Sequence, residues 1–329
     1  MKPGKLSQTI VSRSILRMFH IQEDSPALVP SPFDPCAMLH AEGREILIST
    51  ACRYGKKETV GVYAMAEAFG HLTVRGAKAK SIFISLFLPE WLDEEKLKVI
   101  TGRMAKAAAV FKISLLGTKA EVLPGFEDIL VQVQMQGRVE EKRLVNGEDF
   151  EQADLVFAGY AGLEGTLRIL EEREEELKKR FVPAFLEPLK GQEEKLFLDH
   201  AKGCIWRDGV LLAHQAGDGG IFGALWDFTV GTGHGMLIDL KKIPLRQETI
   251  EICEYFHLNP YQLASAGCAL FAAGDGEKLV RDLKACGLFA AVLGTLNDTN
   301  DKLIQNGEEI RCLDRPVPDE FVKIHTNKF

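Results

Sequence analysis

No two of the seven cysteines form a Cys-x-x-Cys pair. Single, scattered cysteines argue against a zinc framework and against a disulfide ladder, so the expectation is reduced thiols in the cytoplasm. There is no block of lysine and arginine, and the net charge is −7 with both signs mixed along the chain. Nucleic acid and anionic membrane are therefore excluded as expected partners. No apolar segment approaches the ~20 residues of a membrane span. The opening text, "MKPGKLSQTIVSRSILRMF", has polar residues interrupting every short apolar run, so it does not read as a signal peptide.

What is present is ordinary globular composition, 46% apolar and 26% charged over 329 residues. That length is enough for two domains, each with its own core. The polar, turn-rich stretch "VNGEDFEQAD" (145–154) is the expected boundary, dividing the chain into 1–150 and 151–329. In the first half, "REILIST" (44–50) reads as a strand. Met65, Ala68, Phe69 and Leu72 fall at helical spacing, and "SIFISLFLPE" (81–90) is a strand stopped by Pro89. Leu97, Ile100, Met104, Ala107 and Phe111 mark one face of a four-turn helix. "KISLLG" (112–117) reads as a buried strand. "ILVQVQMQG" (129–137) alternates strictly and reads as a half-exposed antiparallel strand. In the second half a strand at 154–159 precedes one long amphipathic helix over 160–181. Strands are then expected at 209–214, 235–240, 267–273 and 289–296, and helices around 247–257 and 276–287.

Four stretches in order, "GKLS" (4–7), "GAKAKSIFISLFLPE" (76–90), "AGLEGTLRIL" (161–170) and "AGDGGIFGALWDF" (216–228) running on through "IDLKKIPLRQETIEICEYFHLNPYQLASAGCALFAA", resemble the aminoimidazole-ribonucleotide (AIR) synthase superfamily. The nearest members in this resemblance are hydrogenase maturation factors of the HypE type. It implies an α+β fold of two AIR synthase-like domains, with the N-terminal domain pairing its sheet with that of a second subunit in a homodimer. It also implies ATP and Mg²⁺ as ligands, and transfer of a phosphate from ATP to an amide or carboxamide oxygen.

The residues depart from that pattern where carboxylates should hold Mg²⁺, an ion that takes oxygen ligands. An aspartate is expected after "ILIST", and the chain has Ala51, then Cys52. Asn-Asp is expected near the end of the following helix, and the chain has Gly70 and His71. Asp34 is retained between two prolines. The phosphate-loop match, "LLGTKAEVLPG" (115–125), keeps Gly117 and Glu121 but has Thr118 where a glycine is usual. Glu121 reads either as a ligand or as a surface turn residue. Gly162 and Gly165 open a helix, where an anion site and close helix–strand packing are both open readings. In "HQAGDGG" (214–220), Gln215 stands where aspartate is usual, while Gly219 and Gly220 are kept. Asp218 reads either as a ligand or as the cap of the next helix. HypE-type factors carry their thiocarboxamide on a C-terminal cysteine, and the text after Cys312 has none.

The expected ligand set is therefore Asp34, Gly117, Thr118, Glu121, Gly162, Asp218, Gly219 and Gly220 around a small anion or nucleotide, ATP by resemblance, with the missing acids arguing against Mg²⁺ and no metal site assigned. Two function classes stay open. One is a binding or scaffold homologue whose metal-dependent ATP chemistry is weak or lost. The other is an ATP-dependent enzyme with an altered metal site.

Overall fold

A computed structural model describes residues 5–6, 8–19, 36–41, 44–139, 150, 152–198 and 209–326. The contacts divide the chain into two compact units, one of residues 19–141 and 167–197 and the other of 1–18, 142–166 and 198–329. The fold is mixed α+β, with one sheet in each unit. The expected boundary at 145–154 falls mostly outside the described residues.

The first unit holds strands β1 (Cys36–Ala41), β2 (Arg44–Gly55), β3 (Ala77–Leu88), β4 (Ser114–Val122) and β5 (Ile129–Val139) in the order β1-β2-β5-β3-β4. All pairs are antiparallel except β3 with β4. The alternation of β5 sorts its two faces: Val131, Val133 and Met135 are buried, while Gln132 and Gln134 are exposed. The buried face meets helix α2 (Val60–Val74), all of whose residues are buried. Such a helix is apolar all round because it lies inside the unit rather than on its surface. Helix α3 (Glu94–Val110) begins at the side-chain cap Asp93 and packs on α2 through Ile100 and Met104. Gly61 makes that approach possible, since a Cβ there would lie 2.3 Å from Met104 Sδ. Phe69, Phe111 and Phe197 form an aromatic trio with ring centroids 4.6–5.5 Å apart. The run at 112–117 is not the expected buried strand. It begins β4, an edge strand on which Leu115 and Leu116 are 60% and 56% exposed. Its apolar composition resembles that of a core strand, but its place at the end of the sheet leaves it uncovered.

The second unit begins with a short helix α1 (Gln8–Ser14). Its sheet has the order β12-β11-β8-β10-β6-β9-β7, from β6 (Asp154–Ala158), β7 (Val210–Ala216), β8 (Gly235–Asp239), β9 (Cys268–Ala273), β10 (Ala290–Asn297), β11 (Lys302–Asn306) and β12 (Glu309–Cys312). Every residue of the interior strand β9 is buried, which is why its text is continuously apolar rather than alternating. The expected single helix over 160–181 is two: α4 (Leu163–Glu172) and α5 (Glu174–Arg180), broken at Arg173. The second piece has its own acidic first turn and basic last turn, which suit the ends of a separate helix dipole. Helix α5 and the one-turn helix α6 (Pro183–Leu186) that follows it fall within 167–197 and belong to the first unit, whereas α7 (Gly220–Thr232), α8 (Gln247–Tyr255), α9 (Gly276–Ala285) and α10 (Phe321–Thr326) belong to the second. Helix α7 packs Ile221, Leu225 and Phe228 into a core with Leu155, Phe157 and Leu270.

Among the described residues five cysteines are free thiols, but Cys286 is disulfide-bonded, so the expectation of reduced thiols fails there. Spacing along a sequence carries no information on such pairing. No described helix is long and apolar enough to cross a membrane.

Candidate functional site

A glycine turn joins β7 to α7 in the second unit. Gly219 and Gly220 have φ of +80° and +61°. A Cβ on Gly220 would lie 2.6–2.9 Å from the backbone of Tyr261 and Leu263, so glycine is required there for packing. The N–H groups that would receive a phosphate are already engaged. Gly219 N donates to Asp319 Oδ2 at 2.8 Å, and Gly220 N donates to Gly217 O at 3.1 Å. The chain thus seats its own carboxylate at the positive end of α7, where an anion is favoured. Asp218 is exposed, and a carboxylate that reaches the start of α7 is that of Asp319, a hundred residues away.

Gly162, at φ +74°, is engaged in the same way. Its N–H donates to Ser265 Oγ at 2.8 Å, and Ser265 N in turn donates to Gly217 O. Gly165 lies against Leu263, with its Cβ position 2.3 Å from Leu263 Cγ. Glu164 is fully buried and accepts from Ala266 N at 3.0 Å. This set of bonds ties the start of α4 to the segment at 263–266.

Gln215 differs from its surroundings. It is 2% exposed, and neither its amide nitrogen nor its amide oxygen has a hydrogen-bond partner among the described residues. A buried primary amide left open at both ends is costly, and it is a place where a ligand or an ordered water gains two hydrogen bonds.

In the first unit the positions expected to hold a metal face the layer between β2 and α2. Ala51 and Gly70 are buried, and His71 Nδ1 lies 3.1 Å from Ser49 Oγ. On the same strand and helix, Arg53 Nη1 pairs with Glu67 Oε2 at 2.5 Å, with both side chains buried. The acid on this face is therefore bound to an internal cation. Among the described residues no three His, Cys, Asp or Glu side chains come together as a metal site. Among the described residues Ala51, Gly70 and His71 bring no carboxylate oxygen to this layer, and Mg²⁺ takes oxygen ligands.

Gly117 and Glu121 stand on β4 opposite Phe83 and Phe87, two strands from Gln132 and Gln134. They share the face of the sheet that α2 does not cover. Gly117 leaves room for the Phe83 ring, 2.8 Å from its Cβ position, and Glu121 pairs with Lys119 at 3.1 Å. Thr118, opposite Ile84, points to the other face. Asp34 lies outside the described residues. Cys52 is exposed on the uncovered face, while burial pushes the Cys253 and Cys268 thiols up to about 12.

Sequence reasoning passed over Asp319, Ser265 and Arg53. Arg53 and Glu67 fall on positions that a strand–helix pair turns toward each other, but long-range partners such as Asp319 leave no local signal. Residues 162–305 match the AIR synthase related protein, C-terminal domain family. A curated protein of Methanocaldococcus jannaschii, named as a hydrogenase expression/formation protein, is 21% identical over 98% of this chain and 97% of its own length. The HypE of a HypE–HypF complex has the same fold, with a TM-score of 0.71 and 20% identity over 93% of this chain and 99% of that one. HypE solved in complex with ATP matches with a TM-score of 0.65 and 18% identity over 97% of both chains. Residues 162–305 thus form an AIR synthase-related C-terminal domain, and the chain as a whole is similar in sequence to a hydrogenase expression/formation protein and in fold to HypE.

Proposed function

We propose that this chain is a HypE-like binding or scaffold protein whose metal-dependent ATP chemistry is weak or lost. The observation that carries the reading is Gln215, a neutral, buried and unpartnered amide at the position where the resemblance expects an aspartate. An amide can hydrogen-bond a ligand, but it brings no negative charge to a cation. The N–H groups of Gly162 and Gly219, engaged by Ser265 and Asp319, and the buried Ala51, Gly70 and His71 support the same reading. Phosphoryl transfer relies on cations that neutralise phosphate oxygens, and those positions offer no carboxylate to hold one. Isothermal titration with ATP checks this: affinities with and without Mg²⁺ are expected to differ by less than about tenfold. The second reading, an ATP-dependent enzyme with an altered metal site, is supported by the HypE neighbour that holds ATP. Robust Mg²⁺-dependent hydrolysis, abolished by Asp218→Ala or Glu121→Ala, would establish that reading and end the first.

The uncovered face of the five-stranded sheet, with Cys52, Gln132 and Gln134 exposed on it, is our proposed homodimer surface. Light scattering at micromolar concentration is expected to give twice the 36.5 kDa chain mass, and a monomer mass would rule the dimer out.

A further inference from the structure

Helix α4 grips the connection between β2 and α2 with four hydrogen bonds from three side chains. Arg168 Nη2 donates to Tyr54 O at 3.1 Å, and Lys56 N donates to Glu172 Oε1 at 2.8 Å. Between them, Glu171 accepts from Thr59 Oγ1 and, at 3.0 Å, from the Tyr63 hydroxyl. Thr59 and Tyr63 are 4% and 2% exposed and belong to the first turn of α2. Thr59 makes no side-chain cap bond to that helix; its hydroxyl is turned to Glu171 instead.

Both partners of Glu171 are hydroxyls, and no cation lies within ion-pair distance of it among the described residues. Two charged groups face it from farther away. Arg103 of α3 favours its ionised form, and Glu193, in the 3₁₀ turn Glu193–Leu196, opposes it. Those two groups face each other, with Arg103 Nη1 3.6 Å from Glu193 Oε1. Arg168 and Glu193 also face Tyr63, whose hydroxyl is pushed well above its usual range by burial, so it keeps its proton. Burial likewise pushes the Glu171 carboxyl up to about 7.

This cluster suits a neutral acid. A carboxylic acid and two hydroxyls can satisfy one another, because each hydroxyl can donate or accept. A carboxylate in the same place keeps both bonds but leaves a desolvated charge with no adjacent counter-charge. We infer that Glu171 is a proton-controlled latch on the first turn of α2, holding the turn when protonated and releasing it when ionised. The direction follows from linkage. In the closed latch the carboxyl keeps its proton up to about pH 7, while once opened to water it titrates near 4.5. Between those values opening becomes easier as pH rises, by up to roughly tenfold per unit, and it levels off above the upper one. The latch is independent of whether the chain binds ATP.

Amide hydrogen exchange of the full chain from pH 5 to 8, corrected for intrinsic rates, tests it. Protection over residues 55–63 is expected to fall by about tenfold or more between pH 5.5 and 7, then flatten. Glu171→Gln should make that segment independent of pH. Tyr63→Phe removes a donor that favours the ionised form, so it should move the fall to higher pH. A flat wild-type profile, a Glu171→Gln protein that keeps the fall, or an unmoved midpoint in Tyr63→Phe would overturn the latch. Should Glu171→Gln fail to fold, carboxyl ¹³C NMR of the wild type reads the same group directly, and a Glu171 midpoint below pH 5 would overturn it equally.

Discussion

Gly220→Ala is expected to destabilise the second unit by about 3–5 kcal/mol and to lower its melting temperature by roughly 6–15 °C, with no nucleotide present. Two costs add. At φ +61° an alanine is held in the left-handed region, which costs about 1–2 kcal/mol. Its Cβ would also press on Tyr261 O, Leu263 O and Leu263 N at 2.6–2.9 Å, and these are backbone atoms that cannot rotate away. The neighbouring glycine provides the control. At Gly219 the nearest atoms to a Cβ are Gly223 Cα at 3.7 Å and Val317 O at 3.9 Å. Gly219→Ala should therefore lose only the conformational part, about 1–2 kcal/mol. Thermal melts of the two variants separate a packing glycine from a phosphate-binding one. If Gly220→Ala melted with the wild type and had lost only ATP binding, the turn would be a nucleotide loop after all.

Glu67→Ala is expected to cost about 3–5 kcal/mol, because it leaves the Arg53 guanidinium buried without its carboxylate. Arg53 Nη1 also donates to Cys52 O, but a carbonyl does not neutralise it. The double variant Arg53→Met, Glu67→Leu removes both charges at similar volume and should return to within about 1 kcal/mol of the wild type. Urea melts of the wild type, the single variant and the double variant check this. A single variant as stable as the wild type would mean that water reaches Arg53 and that this face is open. An open face between β2 and α2 would also weaken the case against a ligand at Ala51 and His71.

What could be read in the sequence was whatever depends on near neighbours. The alternation in β5 assigned Val131, Val133 and Met135 to the covered face because side chains alternate regardless of context. The helical spacing through Ile100 and Met104 found the buried stripe of α3 for the same reason. The missing acids at Ala51, Gly70 and His71 were legible because a motif is local. Position within a sheet is not. Leu115 and Leu116 looked like core, yet they lie on an edge that only the strand order defines. Nor did the text around Gly219 carry any trace of Asp319, its partner a hundred residues on. The β11–β12 hairpin did leave a sign, the two-residue Gly307-Glu308 turn with Gly307 at φ +67°, and that sign was passed over.

The aromatic trio of the first unit bears on how the chain is made. Phe69 and Phe111 wait for Phe197, and the unit lacks residues 167–197 until well after 141 has been synthesised. The 56 residues from 141 to 197 take roughly 3–11 s to translate at ordinary rates. Throughout that interval the two rings and the apolar α2 behind them have no cover from the segment that closes the unit. A nascent chain in this state is a client for holding chaperones, and a gene truncated near codon 150 would encode a polypeptide that stays in it permanently.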